Sequence, residues 1–231
     1  MEINQITNLI EKFAPLGIQE SWDCSGLQID FKKDIKKILL CLSVTKNIIN
    51  QAIEQNCDMI ISHHPLFFVP FTFKKQIPIY SAHTNLDKTD GGTTDTLIEL
   101  LELESQKFGD FLRITELKEE ILLEDFVKLL KAKLNLKNIK VVNNFSKKKI
   151  KKIAFCAGSG TDCLKEAEQN NIDLFVTGDV KYHTALESDV IIVDIGHFES
   201  EWPVLKTLRN VLKSLDIEVV IADEKSPFIN Y

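Results

Sequence analysis

Lys36-Lys37-Ile38, followed by Cys41, Ala52, Asn56, Asp58 and Ser62, returns 115 residues later without a gap as Lys151-Lys152-Ile153, followed by Cys156, Ala167, Asn171, Asp173 and Thr177. In the first copy, residues 37–43 are a short apolar run. Residues 45–56 place Ile48, Ile49, Ala52 and Ile53 on one helical face with Thr45 as N-cap, and Met59-Ile60-Ile61-Ser62 is a second apolar run. Strand, helix, strand in that order is a βαβ unit with parallel strands and a right-handed crossover. The second copy has the same order: a strand over 153–156, a Gly158-Ser159-Gly160 turn, a helix over about 162–169, and strands over 174–177 and 190–194. The repeat predicts an α/β protein of two similar lobes from an internal duplication, 1–120 and 121–231.

Outside the repeat, Ile3, Ile6, Ile10 and Phe13 have helical spacing. A third strand over 77–82 leads into His83, and Asp90-Gly91-Gly92 forms a turn before a helix over 94–103. Residues 121–134 read as a helix, and the basic run 147–152 as a solvated turn. The 231 residues suffice for a full core, and 44% apolar with 27% charged residues are ordinary soluble-globular values. A net charge of −6 disfavours nucleic acid and anionic membrane as partners, because phosphate binding draws on clustered Lys and Arg. Five cysteines without a Cys-x-x-Cys pair fit free thiols in a reducing cytoplasm. No apolar run reaches the roughly 20 residues of a membrane span.

His63-His64-Pro65 follows a predicted parallel strand, where open α/β sheets place ligands. Adjacent side chains of an extended segment point to opposite sides, so these imidazoles are expected to serve one ion each. His197 and Glu201 are four apart after Gly196, a spacing that shares a helical face, and His83 with Asp87 repeats it in the first half. Imidazole and carboxylate donors without thiolate suit Zn, Fe, Mn or Co. Gly158-Ser159-Gly160 before a helix is a candidate phosphate cradle built on free backbone N–H groups. His183, beside Lys181 and Tyr182, is a candidate for proton handling, with a structural histidine as the alternative. Trp22 and Asp23 are candidates for the wall of a substrate cleft, with core packing of the tryptophan as the alternative.

Several ordered stretches resemble the GTP cyclohydrolase I type 2 homologues, also called the Ngg-interacting-factor-three-like dinuclear metal proteins. They are Glu20-Ser21-Trp22-Asp23 with Gly26-Leu27, Ile60 to Leu66, His83-Thr84-Asn85-Leu86-Asp87, Gly91-Gly92 with Asp95, Gly158-Ser159-Gly160, Thr177-Gly178-Asp179 with Tyr182-His183, and Gly196-His197 with Ser200-Glu201. The resemblance covers nearly the whole chain. It implies a two-lobed protomer without an inserted third domain, a dinuclear metal site in the cleft between the lobes, and a ring-shaped homohexamer. It also implies two divalent ions per subunit, with His64 and Asp87 on one, His63 and His197 on the other, and Glu201 bridging. By the same resemblance, His83 stands behind the ligands as a proton-handling candidate. Cys24 and Ser43 depart from the family pattern, which has Asn and Asp there.

The activity implied is hydrolysis of GTP to dihydroneopterin triphosphate and formate. Two alternatives accompany it: hydrolysis of a phosphate ester or another cyclic amide, and a non-catalytic metal-binding ring that takes a partner protein or regulatory ligand.

Overall fold

The computed structural model describes residues 1–31, 34–66 and 77–229. The chain forms two compact units, each built on its own sheet. The first comprises Met1–Gly92 with Val204–Lys225. Its five strands lie in the order β1 (Gly26–Ile29), β4 (Ile79–Ser81), β3 (Met59–Ser62), β2 (Lys37–Cys41) and β11 (Glu218–Ile221). All are parallel except β1. Its helices are α1 (Ile3–Phe13), α2 (Lys46–Glu54), α3 (Thr84–Lys88) and α9 (Val204–Val211). Thr45 caps α2 by accepting from Ile48 N at 3.3 Å, and the apolar face of α2 packs on Leu39, Cys41 and Ile60.

The second unit comprises Thr93–Pro203 and the terminal residues from Ser226. Its strand order is β5 (Gln106–Phe108), β6 (Leu112–Leu122), β8 (Lys149–Phe155), β9 (Leu174–Thr177), β10 (Ile191–Asp194) and β7 (Lys140–Val142). The strands β8, β9 and β10 are parallel, and the others pair antiparallel. Its helices are α4 (Thr93–Leu100), α5 (Leu123–Leu134), α6 (Leu164–Glu168), α7 (Tyr182–Glu187) and α8 (His197–Glu201). Successive residues of the parallel strands enter opposite cores, Ile153, Phe155 and Val193 on one face and Ala154, Phe175 and Ile192 on the other. Burial on both faces is why these strands are continuously apolar. Among the described residues no helix is long and apolar enough to cross a membrane.

The recurring residues do the same work in both units. Ile38 faces Met59 and Leu39 faces Ile60 in the first, as Ile153 faces Leu174 and Ala154 faces Phe175 in the second. Asn56 and Asn171 stand at φ 55° and 52°, the left-handed conformation that Asn tolerates, and turn the chain out of the helix. Asp58 Oδ2 accepts from the Lys36 and Lys37 amides at 3.0 and 3.2 Å, and Asp173 Oδ2 from the Lys151 and Lys152 amides at 2.7 and 2.9 Å.

Three expectations are corrected. The units divide at Gly92/Thr93 rather than at 120/121: β6 runs through the expected boundary and pairs with β8, while β11 returns to pair with β2. The basic run is not a turn, since Lys149–Lys152 open β8 and Lys151 Nζ lies 2.9 Å from Glu116 on the neighbouring strand. The two His-plus-acid pairs are also out of step by one residue. Ser81 faces Ser62 and Asp194 faces Thr177, which makes Gly196, not His197, the counterpart of His83. His83 therefore precedes α3, whereas His197 is the first residue of α8.

Gly92 closes the turn before α4 against its own backbone. A Cβ there would stand 1.9 Å from the Leu86 carbonyl oxygen and 2.8 Å from that of Thr89. Gly92→Ala is expected to destabilise the protein by about 3 kcal/mol, because carbonyls cannot swing aside as a flexible side chain can. The urea unfolding midpoint checks this.

Candidate metal centre

In the first unit the chain leaves β3 at Ser62 and bends at His63 and His64. The bend corrects the expectation of opposed imidazoles. The two ring centroids are 4.9 Å apart, with His83 at 5.3 and 5.7 Å from them. The three histidines offer nitrogens that all lie within 4.8 Å of one another.

Each ring is anchored through Nδ1. His63, fully buried, donates from Nδ1 to the Ala82 carbonyl at 2.8 Å. A carbonyl only accepts, so the proton is on Nδ1 and a lone pair on Nε2. That Nε2 lies 3.5 Å from Asp87 Oδ1, an arrangement of two acceptors that a cation satisfies. His64 Nδ1 is 2.7 Å from Ser43 Oγ, which assigns Ser43 a purpose that the sequence did not reveal. His83 Nδ1 is 2.9 Å from Asp23 Oδ1. Burial, with the neighbouring His63, holds the His83 pKa below its ordinary value against the pull of Asp87 and Asp23, so the ring is neutral at neutral pH.

Asp23 is a hub rather than an open ligand. It accepts from Ser25 Oγ at 2.9 Å, from Thr84 N at 3.0 Å and from Thr84 Oγ1 at 2.6 Å, besides holding His83. Burial works against its charge, but the bonds from Thr84 and His83 prevail and hold its pKa at about 2. Its contribution to stability is therefore present above the ordinary carboxylate pKa and is lost as pH falls through about 2. Asp23→Ala is expected to cost about 3 kcal/mol at pH 7, since it strands the Thr84 amide and the His83 ring together, and far less near pH 2. Denaturant titrations at the two pH values test this. Trp22 is 61% exposed and stands edge-on to His83 at 5.9 Å, so the core-packing alternative for it is excluded.

In the second unit Gly178 lets the turn into α8 come close: a Cβ there would lie 2.6 Å from the His197 amide nitrogen. His197 Nδ1 is 2.7 Å from Asp179 Oδ2, and its Nε2 is 2.9 Å from Glu201 Oε2, so the expected i, i+4 pair forms. Asp179 belongs to the Thr177-Gly178-Asp179 motif but carried no role in the sequence. Burial disfavours a charged His197, yet the hydrogen bonds and charges of Glu201 and then Asp179 raise its pKa to about 9. Without metal, the ring is a cation at neutral pH.

The phosphate-cradle expectation at Gly158–Gly160 is corrected. Gly158 N donates to Ser200 Oγ at 2.8 Å and Gly160 N to Thr177 Oγ1 at 2.9 Å, so these two amides are already engaged. Gly158 makes room instead: at φ 69°, its Cβ would fall 2.0 Å from Glu201 Oε1. His183 is exposed on α7, edge-to-face with Tyr182 at 5.5 Å, and is in none of the clusters of ligating groups found among the described residues.

These elements define a mixed α/β protein with imidazole and carboxylate groups able to hold a metal ion. The chain belongs to the Duf34/NIF3 (NGG1p interacting factor 3) family, whose profile matches residues 1–227. It is 37% identical to a Clostridium perfringens protein named GTP cyclohydrolase 1 type 2 homolog, over 99% of both chains. It is 27% identical to the yeast (Saccharomyces cerevisiae) NGG1-interacting factor 3, over 96% of this chain and 94% of that one. The crystal structure of a Staphylococcus aureus protein superposes with a TM-score of 0.86 at 27% identity, covering 100% of this chain and 99% of that one.

Proposed function

We propose that this protein is a metal-dependent hydrolase of the GTP cyclohydrolase type, with His63, His64, Asp87, His197 and Glu201 holding two divalent ions. The carrying observation is the common anchoring of the imidazoles: His63 and His197 are each held through Nδ1 by an oxygen of their own unit, with Nε2 turned toward a carboxylate. Such outer partners fix the tautomer and the aim of a metal-binding imidazole. The donor set fits Zn, Fe, Mn or Co. When bound, a pair of such ions supplies a water acidic enough to act as a nucleophile near neutral pH.

The chain's own residues do the rest. Asp87 and Glu201 supply the negative charge that balances the ions. His83, kept neutral by burial and oriented by Asp23, exchanges a proton with the purine ring at Nε2. Trp22 offers an exposed aromatic face beside it. The name of the Clostridium perfringens relative supports GTP as the substrate. The reading includes assembly as a homohexamer, which light scattering measures.

The test is metal content of the purified protein, followed by formate release from GTP after loading with Zn, Mn, Fe(II) or Co. About two ions per chain and metal-dependent formate are expected. Bound metal without turnover of GTP or a panel of phosphate esters would reject the hydrolase. It would favour the binding role to which the yeast relative's name points.

A further inference from the structure

Glu224 follows β11 and stands 181 residues after Ser43 in the chain, yet its carboxylate spans two amides at the end of β2. Leu42 N donates to Oε2 at 2.6 Å and Ser43 N to Oε1 at 3.2 Å, with the side chain half-buried. The backbone that carries Glu224 is fixed from two sides. Ala222 N donates to Leu40 O at 2.8 Å, which continues the pairing of β11 with β2. The Gln51 amide of α2 closes on Asp223, with Nε2 donating to Asp223 O and Oε1 accepting from Asp223 N, both at 2.9 Å.

The same two peptide units hold the histidines by their opposite edge. In a trans peptide the N–H points away from the carbonyl, so one unit can bond on both sides. Cys41 O accepts from His63 N at 3.1 Å, while the Leu42 N–H of that unit goes to Glu224. Leu42 O accepts from His64 N at 2.9 Å, while the Ser43 N–H of that unit goes to Glu224. Each carboxylate oxygen is thus joined through one peptide unit to the backbone of one histidine. Ser43 adds a side-chain link, with Oγ 2.7 Å from His64 Nδ1. A neutral hydroxyl holds an imidazole less firmly than a charged group would, so the aim of this ring depends on where the backbone sets Ser43. The carboxylate-to-amide bonds that set it are charge-assisted and roughly twice as strong as neutral ones.

We propose that Glu224 is a positioning residue for the candidate metal centre: through the Leu42 and Ser43 amides it sets the orientation of the His64 imidazole. The inference rests on the reading of His64 as a metal ligand. With Ser43 in place, Nδ1–H donates to its hydroxyl and the Nε2 lone pair is left for an ion. Without the carboxylate, residues 42 and 43 lose their brace, and the ring is no longer confined to that tautomer and that aim.

The test compares the full-length protein with Glu224→Ala and Glu224→Gln. Glutamine keeps the shape but can accept from only one of the two amides, and it carries the test should the alanine variant fail to fold. Long-range 1H–15N NMR of the chelated proteins reads the His64 ring nitrogens in the absence of any ion. The wild type is expected to hold the proton on Nδ1, and the variants to show mixed tautomers, alanine more than glutamine. Calorimetric titration with Zn is expected to show affinity lowered about tenfold in Glu224→Ala and less in Glu224→Gln. Folded variants with a lower urea midpoint but wild-type His64 signals would overturn the proposal, because the carboxylate would then only brace the strand end. Altered His64 signals with unchanged Zn affinity would overturn it as well. A wild type that takes up no Zn would instead sink the metal-ligand reading, and the His64 signals would still decide whether Glu224 orients the ring.

Discussion

Glu201→Ala is expected to weaken metal binding by about 100-fold and to abolish metal-dependent formate release, because the substitution removes a buried carboxylate that stands 2.9 Å from His197 Nε2. The variant should also change the metal-free protein in a second, independent way. In the wild type Glu201 is the main group lifting the His197 pKa to about 9. A raised histidine pKa contributes stability that is fully present below its ordinary value of about 6.5 and is lost as pH rises through the folded value. Metal-free wild type should therefore lose about 2 kcal/mol between pH 6 and pH 9.5, a figure discounted for the partial exposure of the ring. Glu201→Ala should lose much less over the same range. Denaturant unfolding of the chelated proteins at the two pH values measures the difference. Metal uptake by the wild type should release a proton from His197, so apparent affinity rises with pH up to about 9.

Gly158→Ala is expected to impair metal binding nearly as much while leaving every proposed ligand in place. Two effects add. At φ 69° an alanine meets the steric cost of the left-handed region, about 1 kcal/mol. Its Cβ would also occupy a position 2.0 Å from Glu201 Oε1, so the carboxylate must shift from the position in which it holds His197. Calorimetric metal titration should show affinity lowered about tenfold or more, and NMR should show the His197 pKa falling. Ser159→Ala, one residue along on an exposed side chain, should leave both unchanged. Equal effects of the two substitutions would mean that the glycine turn serves something other than Glu201.

Much of this arrangement is local in origin and could be read in the chain. Alternation is absent from the segments 59–62 and 174–177, and a strand without alternation must be buried on both faces, which already implies a parallel sheet. Asn56 and Asp58 mark the exit from α2 and the entry to β3, and their recurrence at the same spacing as Asn171 and Asp173 announced a recurring unit. The spacing of His197 and Glu201 on one helical face was legible for the same reason.

What could not be read depended on contacts between distant segments. Strand register in the third strand is set by pairing, and one residue of slip separates His83 from the position of His197. The bend after β3 that turns His63 and His64 together, the hold of Ser43 on His64 and of Asp179 on His197, and the burial that makes Asp23 a hub all join segments remote in sequence. Gly158 looked like a phosphate turn because a glycine carries no sign of what it makes room for; only the position of Glu201 decides that. The sequence by itself determined the α/β class, the repeated strand-helix-strand unit and the residue types that can bind metal, because these follow from periodicity and side-chain chemistry. The tertiary structure alone decided where the units divide, which atom of each histidine is held and which is presented, and which glycine belongs to a carboxylate, because these depend on packing between segments that periodicity does not relate.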